Sequence, residues 1–404
     1  MASGKPGILT SDVRTITAAE RRARMVRRHH LAPATRCADV VQVARDLVAL
    51  HGTDPASVFL AARARMSDPG VAAIEDALYE ERRLLRILGM RRTVFVVARE
   101  IAPIVHAACT REVAARARKT YQAYLEQNGI VDGRWLGEVE SSTLKALVRR
   151  GSAFGGELVE DEPRLGRRLD MARGPETNYQ VNLTSWVLLL LAADGRIARG
   201  RPRGSWVSSQ FRWHPMQDWL PGGLGEMATE AAQAELAGLW LGSFGPGTAA
   251  DLRWWTGWTM RATQAALRAA GAVAVDLEGG AGFLLPDDLE PEPAAADPAP
   301  ALLPALDPTI MGWAARDWYL GERGRELFDR SGNPCASVWW EGRVVGAWAQ
   351  RKDGEVVFRL LEDLGREAEQ QVAAEAARLQ AWIGEVRLAP RTRISPPIER
   401  ELIS

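Results

Sequence analysis

The chain has little cysteine. Its three, Cys37, Cys109 and Cys335, are far apart and odd in number, so neither a disulfide framework nor a zinc site is indicated. Histidine is nearly as scarce, with five residues and no HExxH or CxxC spacing, which argues against a protein-bound metal. Long hydrophobic runs are missing too. The longest, "WVLLLLAA" at 186–193, falls far short of the ~20 apolar residues that span a bilayer, so no membrane association is expected. The first residues, "MASGKPGILTSDVR", hold no apolar segment fit for a secretory signal, and a cytoplasmic location is expected. Net charge is absent as well, because 51 basic residues balance 51 acidic ones.

What is present is a globular composition, 47% hydrophobic and 25% charged, in a chain long enough for two to four domains. The neutral total conceals an uneven distribution. Residues 1–36 carry Lys5, Arg14, Arg21, Arg22, Arg24, Arg27, Arg28 and Arg36 against Asp12 and Glu20. No basic residue lies between Arg268 and Arg316, and "PDDLEPEPAAADPAP" is acidic. Phosphate binding depends on the local field of a patch, so neutrality does not exclude a nucleic-acid partner.

The first third predicts helices over "TAAERRARMVRRHH", "CADVVQVARDLVAL", "PASVFLAARARM" and "AIEDALYEERRLLRIL", whose apolar positions recur at three and four residues. A β-like run, "RRTVFVVA", follows Gly89. Helices followed by a strand pair are the order of a winged-helix module. The order returns with "SSTLKALVRR", "NLTSWVLLLLAA" and the strand pair of "GRIARGRPRGSWVSSQFRW". It returns again with "TEAAQAELAGLWLGSF", "GTAADLRWWTGWTMRATQAALRAA" and the hairpin "AVAVDLEGGAGFLLP". The Pro/Ala/Asp-rich stretch 286–301 reads as a linker. Beyond it, "CASVWWEGRVVGAWAQRKDGEVVFRLLE" predicts three antiparallel strands with turns at Glu341-Gly342 and Asp353-Gly354. The helix "REAEQQVAAEAARLQAWIG" and a last strand, "EVRLAP", complete an end domain. The expected fold class is α+β: three tandem winged-helix units at 1–125, 126–222 and 223–290, then a linker and a β-rich domain at 291–404.

Several motifs carry a functional and a plain reading side by side. In "RGRPRGSW", Arg199, Arg201 and Arg203 alternate across a Pro/Gly turn, which suits either a phosphate backbone or a solvated hairpin tip. Fifteen tryptophans concentrate in "RWWTGW" and "FRWHPMQDW" beside arginines. They suit stacking on unpaired bases or, for most of them, core packing. "GPGTAA" fits the loose G-x-G-x-x-A pattern of dinucleotide binding, but a helix precedes it where a buried strand is required. Asn182-Leu183-Thr184 is a sequon without a secretory route. His29, His30, His106 and His214 have no partners at ligand spacing and read as surface or satisfied core.

One stretch asks for more. In "LVALHGTDPASVFLA", Gly52 can end a helix, and Asp54 with Pro55 can start the next. His51 and Thr53 are left over, two hydrogen-bonding side chains on an apolar corner. Dipole and helix-start roles would account for them; so would a site.

The blocks "ARDLVALHGTDPASVFLAARAR", "RRTVFVV", "DGRIARGRPRGSWVSSQFRW", "LWLGSFGPGTAADLRWWTGW", "LLPALDPTIMGWAARDWYL" and "FDRSGNPCASVWWEGRVVGAWAQ" together resemble the AlkZ/YcaQ family of bacterial winged-helix DNA glycosylases. The likeness is nearer to the actinobacterial AlkZ-like branch, associated with self-resistance to alkylating antibiotics. It runs from about residue 35 to 395. The resemblance implies a C-shaped clamp on double-stranded DNA and hydrolysis of the N-glycosidic bond of bulky or crosslinked N7-alkylguanine. It implies no cofactor and no metal, and a monomer is expected. The family's Gln-x-Gln or Gln-x-Asp catalytic motif falls here on His51 and Thr53, with Gly52 between them.

The chemistry accommodates that departure. N7 alkylation makes guanine a cation that leaves as a neutral base, so the site must hold a water at the anomeric carbon and support charge developing on the sugar. Neutral His51 can accept a proton from that water, Thr53 can hold it, and Asp54 is a third group with an N-cap role as the plainer reading. No lysine adjoins the motif, so no Schiff-base step is expected. Arg91, Arg92, Arg199, Arg201, Arg203 and Arg212 are the candidates for backbone contacts, and Trp206 and Trp213 the weaker ones for lesion contact. The alternatives are a non-catalytic winged-helix regulator and an inactive homologue that shields adducts.

Overall fold

Capping governs where the first helices begin. The side chains of Thr17, Asp39 and Asp54 accept hydrogen bonds from the backbone N–H groups of Glu20, Val41 and Ala56 at 3.2, 3.0 and 3.2 Å, so helices start at Ala18, Val40 and Pro55. The computed structural model describes residues 13–172, 178–293, 298–388 and 395–404.

Three successive segments repeat one order: helix, short strand, two helices, hairpin. In the first, Val40–Asp46 leads to the strand Leu50–His51, then Pro55–Arg63 and Val71–Glu75, which runs on through Asp76–Glu80. Its hairpin is Leu84–Leu88 with Val94–Ala98. The second segment uses Trp135–Arg150, Gly155–Asp161, Leu183–Ala193 and the hairpin Ile197–Pro202 with Phe211–Pro215. The third uses Thr229–Phe244, Ala249–Thr256, Met260–Ala269 and the hairpin Val273–Asp276 with Ala281–Leu284. In each, the short strand pairs with the second hairpin strand: His51 opposite Phe95, Ala153 opposite Trp213, Gly247 opposite Phe283. The last two are single bridges; only the first is a strand.

Beyond them, Pro300–Leu303, Ser337–Trp340, Arg343–Gln350 and Val356–Leu360 form a four-stranded antiparallel sheet in that order, covered by the helix Arg366–Ile383. One large core joins the first and third segments to this sheet, while the second segment keeps a core of its own around Leu136, Leu147, Trp186 and Leu190.

Four expectations are corrected. "RRLLRIL" is not helix: Leu84–Leu88 is the first hairpin strand, because a short apolar run takes whichever period its neighbours complete, and Val94–Ala98 completes a ladder. "EVRLAP" forms no strand over 385–388, where Val386 and Leu388 bond instead to the Gln350 side chain; 389–390 lie outside the described residues. The end of the expected linker is the strand beginning at Pro300. A boundary at 125 falls inside the helix Arg111–Gln127.

Among the described residues of the basic N-terminal segment, Arg14, Arg24, Arg27 and Arg28 are paired internally. Arg24 and Arg28 grip Asp288 at 2.8 and 2.5 Å, and Arg27 reaches Glu292 at 2.6 Å. The acidic stretch is therefore the partner of the basic one. No helix among the described residues is long and apolar enough to cross a membrane.

Candidate functional site

The polar pair at 51 and 53 does not sit on a corner between two helices. The preceding helix ends at Leu47, and Val48 (φ 62°) makes the left-handed turn expected of Gly52, whose own φ is not positive. Leu50 and His51 then pair with Val96 and Phe95 at the edge of the first sheet, and Gly52 N–H donates to the Val94 carbonyl at 2.8 Å. The strand ends at His51, and Thr53 lies in the bend between it and the next helix, so the two side chains belong to different local structures.

Gly52 is needed for closeness. Its carbonyl accepts from the buried Arg86 guanidinium at 2.8 Å, and a Cβ there would lie 3.0 Å from Arg86 Nη1. Arg86 thus clamps the residue between the two polar side chains.

Burial separates the pair. The His51 imidazole is 7% exposed and meets Phe95 edge-on at 5.4 Å, whereas Thr53 is exposed. Asp54 caps its helix and accepts from Ser57 Oγ at 3.0 Å, in a crevice shared with Trp348 and Glu399 of the C-terminal region. Its carboxylate is thus committed locally.

The first hairpin tip adjoins this segment, since Gly52 bonds to Val94 and Thr93 closes the turn through its N–H to the Met90 carbonyl at 3.0 Å. The two central residues are Arg91 (φ 51°, ψ 32°) and Arg92 (φ 62°), the left-handed pair of a type I′ turn, where Asn-Gly is preferred. Holding L-residues there costs roughly 1–2 kcal/mol each. Both side chains are exposed. Arg91 lies over the Trp254 ring at 4.0 Å, and Arg92 donates to the Tyr121 hydroxyl at 2.5 Å.

The second hairpin behaves otherwise. Arg201 is paired with Glu75 and Glu80 at 2.6 and 3.0 Å. Arg199 lies over Trp213 at 4.6 Å, its guanidinium pulled down to about 10 by burial and then by the charge of Arg86. Arg203 and Arg212 both lie against Phe154, and Arg212 sits 3.6 Å from Glu157. Trp206 is wedged against Phe59 and Trp382, with 5.2 and 5.5 Å between ring centres, and Trp213 is covered by Arg199. Both indoles are buried, so neither offers a face to a base; they are packing residues. The structure therefore places Arg91 and Arg92 at the tip of the hairpin whose second strand pairs with Leu50–His51, and sets Arg199, Arg201, Arg203, Arg212, Trp206 and Trp213 on a separate hairpin, where Arg201 and Arg212 meet carboxylates and both indoles are packed.

Two further observations bear on the scarce histidines. His29 is buried, bonded to Thr309 Oγ1 and the Ser243 carbonyl. His30, Cys37 and Asp46 do approach within 4.8 Å of one another, contrary to the expectation that no histidine has partners at ligand spacing. Both nitrogens of His30 are already engaged, with the Thr35 carbonyl at 2.6 Å and Asp46 at 2.7 Å, so the group closes as a hydrogen-bonded cluster. Sequence reasoning missed Arg316, which meets the same Trp254 ring at 4.8 Å. Its one signal was the tryptophan-rich "RWWTGW", in which Trp255 and Trp258 are buried core and only Trp254 is half-exposed.

Residues 44–382 match the family model described as DNA glycosylase AlkZ-like. Among solved structures, the Streptomyces sahachiroi DNA glycosylase AlkZ superposes with a TM-score of 0.68 at 20% identity, over 91% of this chain and 97% of that one. No curated protein matches the sequence.

Proposed function

The chain belongs to the AlkZ-like DNA glycosylase family, and on that premise we propose that it is a monofunctional hydrolase of N7-alkylguanine in double-stranded DNA, acting as a monomer in the cytoplasm. The observation that carries this reading is an exposed Thr53 just past the edge strand that bears His51, a strand paired with the hairpin that carries the exposed Arg91 and Arg92.

In the proposed reaction the C1′–N9 bond breaks with its electron pair moving onto the base. Alkylation at N7 had made that base cationic, so it departs neutral. Positive charge gathers on the deoxyribose, and water forms the new C1′–O bond, releasing a proton. The Thr53 hydroxyl holds this water. His51, two residues before it on the edge strand, accepts the proton; Arg86 fixes the carbonyl between them. Asp54 serves the helix rather than the sugar. With a leaving group this good, positioning supplies most of what remains of the barrier.

A site on a sheet edge is open, which suits adducts too large to rotate into a closed pocket. Bulky and crosslinked lesions, including those made by alkylating antibiotics, are accordingly the proposed substrates. Base release from duplexes carrying N7-methylguanine, a bulky N7 adduct or an N7-linked crosslink tests this. Release of modified guanine without strand cleavage is expected. Binding to all three with no release at high protein excess would favour the regulator or the shielding homologue.

A further inference from the structure

We propose that the first hairpin tip, Trp254 and Arg316 form a site for one backbone phosphate of duplex DNA. This rests on DNA being the substrate, and adds a place and two residues to that reading.

Three observations converge. The first is conformational: two arginines occupy the two left-handed positions of a turn that would be relaxed with Asn-Gly. Strain of this kind persists where a side chain is needed at that point. The second is charge. Arg91 and Arg316 approach one indole at 4.0 and 4.8 Å, and among the described residues neither forms an ion pair with a carboxylate. Arg316 donates Nε to the Trp313 carbonyl at 3.0 Å and Nη2 to Met311 Sδ at 3.7 Å, and also lies over the Phe328 ring at 4.9 Å, all neutral partners. Burial and the like charge of Arg316 pull the Arg91 guanidinium down to about 10. An incoming anion would relieve this repulsion.

The third is rigidity beside open space. Gly257 (φ +81°) lets the helix end Ala249–Thr256 press against the tip, since a Cβ there would stand 3.2 Å from Arg91 Cγ. Next to it lies a cleft of about 340 Å³ lined by Arg91, Arg92, Arg116, Thr120 and Gly257. Glu112, also in its wall, is paired with Arg116, and among the described residues Arg92 meets no carboxylate, so the unpaired charge in the cleft belongs to Arg91 and Arg92, with Arg316 beyond it on the Trp254 ring. A phosphodiester fits better than a free anion, because the turn adjoins the strand edge where the sugar is attacked.

Binding of the full chain to an undamaged duplex, measured across about 50–200 mM salt, tests the site. Arg316→Gln is expected to weaken binding roughly tenfold at the low end and to reduce the slope of log K against log salt by about 1, while Arg316→Lys keeps the slope. Arg92→Gly is expected to lose affinity while its melting temperature holds or rises. Arg203→Gln should bind like the unaltered protein. An unchanged slope in Arg316→Gln, or an Arg92→Gly variant that melts earlier and binds normally, would overturn the proposal. Base release by the unaltered protein is read separately. If it fails while the slopes change as expected, the lesion chemistry is wrong and the phosphate site stands. If it succeeds while the slopes do not move, only the phosphate site is wrong.

Discussion

Two hairpins of this protein carry arginines at their tips, and carboxylates meet those of one hairpin but not those of the other among the described residues. In the second, Arg201 is balanced by Glu75 and Glu80, Arg199 is half-buried over Trp213, and Arg203 and Arg212 rest on Phe154. In the first, Arg91 and Arg92 are exposed in a strained turn with only aromatic and hydroxyl neighbours. On sequence the second hairpin, with three arginines alternating across Pro and Gly at 199–203, suits a phosphate backbone or a solvated tip, and both hairpins supply candidates. The difference lies in what surrounds each. The second hairpin meets the acidic helical stretch Val71–Glu80 of the first segment, and its loop inserts Trp206 between Phe59 and Trp382. It is a joint. An arginine count thus predicts a field only after its internal acids are subtracted.

The comparison can be broken at either end. The largest effect is expected at the joint. Trp206→Ala empties a position buried against two aromatic rings and should cost about 3–5 kcal/mol in denaturant unfolding. Undamaged-duplex affinity at a temperature where the variant stays folded should be unchanged; a large loss there would make Trp206 part of the DNA surface. Next is Gly52→Ala, which sets a methyl 3.0 Å from Arg86 Nη1. It should slow base release by roughly tenfold or more through displacement of Thr53, with affinity retained, and an unaltered rate would remove the strand edge from the mechanism. The smallest effect belongs to Arg201→Gln. Its two ion pairs are half-exposed, so the loss should stay below ~1 kcal/mol, and duplex affinity should shift by less than about threefold. A tenfold loss of affinity would return the second hairpin to the interface.

The repeating order of helices and hairpins was legible because turn signals separate the elements, such as Asp194-Gly195 between the helix Leu183–Ala193 and its hairpin. The N-cap at Asp54 with Pro55 was legible for the same local reason. What escaped was decided by partners distant in sequence. "RRLLRIL" becomes strand only because Val94–Ala98 lies beside it, and His51 joins a strand only because Phe95 faces it. The helix Arg111–Gln127 and the hairpin of Arg168–Ala172 with Asn178–Asn182 were not anticipated at all. In the site, the spacing of His51 and Thr53 was visible, but the inequality of their exposure was not. Nor was the meeting of Arg91 with Arg316, 225 positions along the chain, over a shared tryptophan.

The central claim is that Thr53, just past the edge strand of the first sheet, holds the attacking water. Single-turnover release of N7-methylguanine from a duplex, compared between the unaltered chain and Thr53→Val at saturating protein, tests it most directly. The account predicts a rate constant lower by about 10²-fold or more, with the dissociation constant for the same duplex unchanged. An equal rate constant in the two proteins would contradict it.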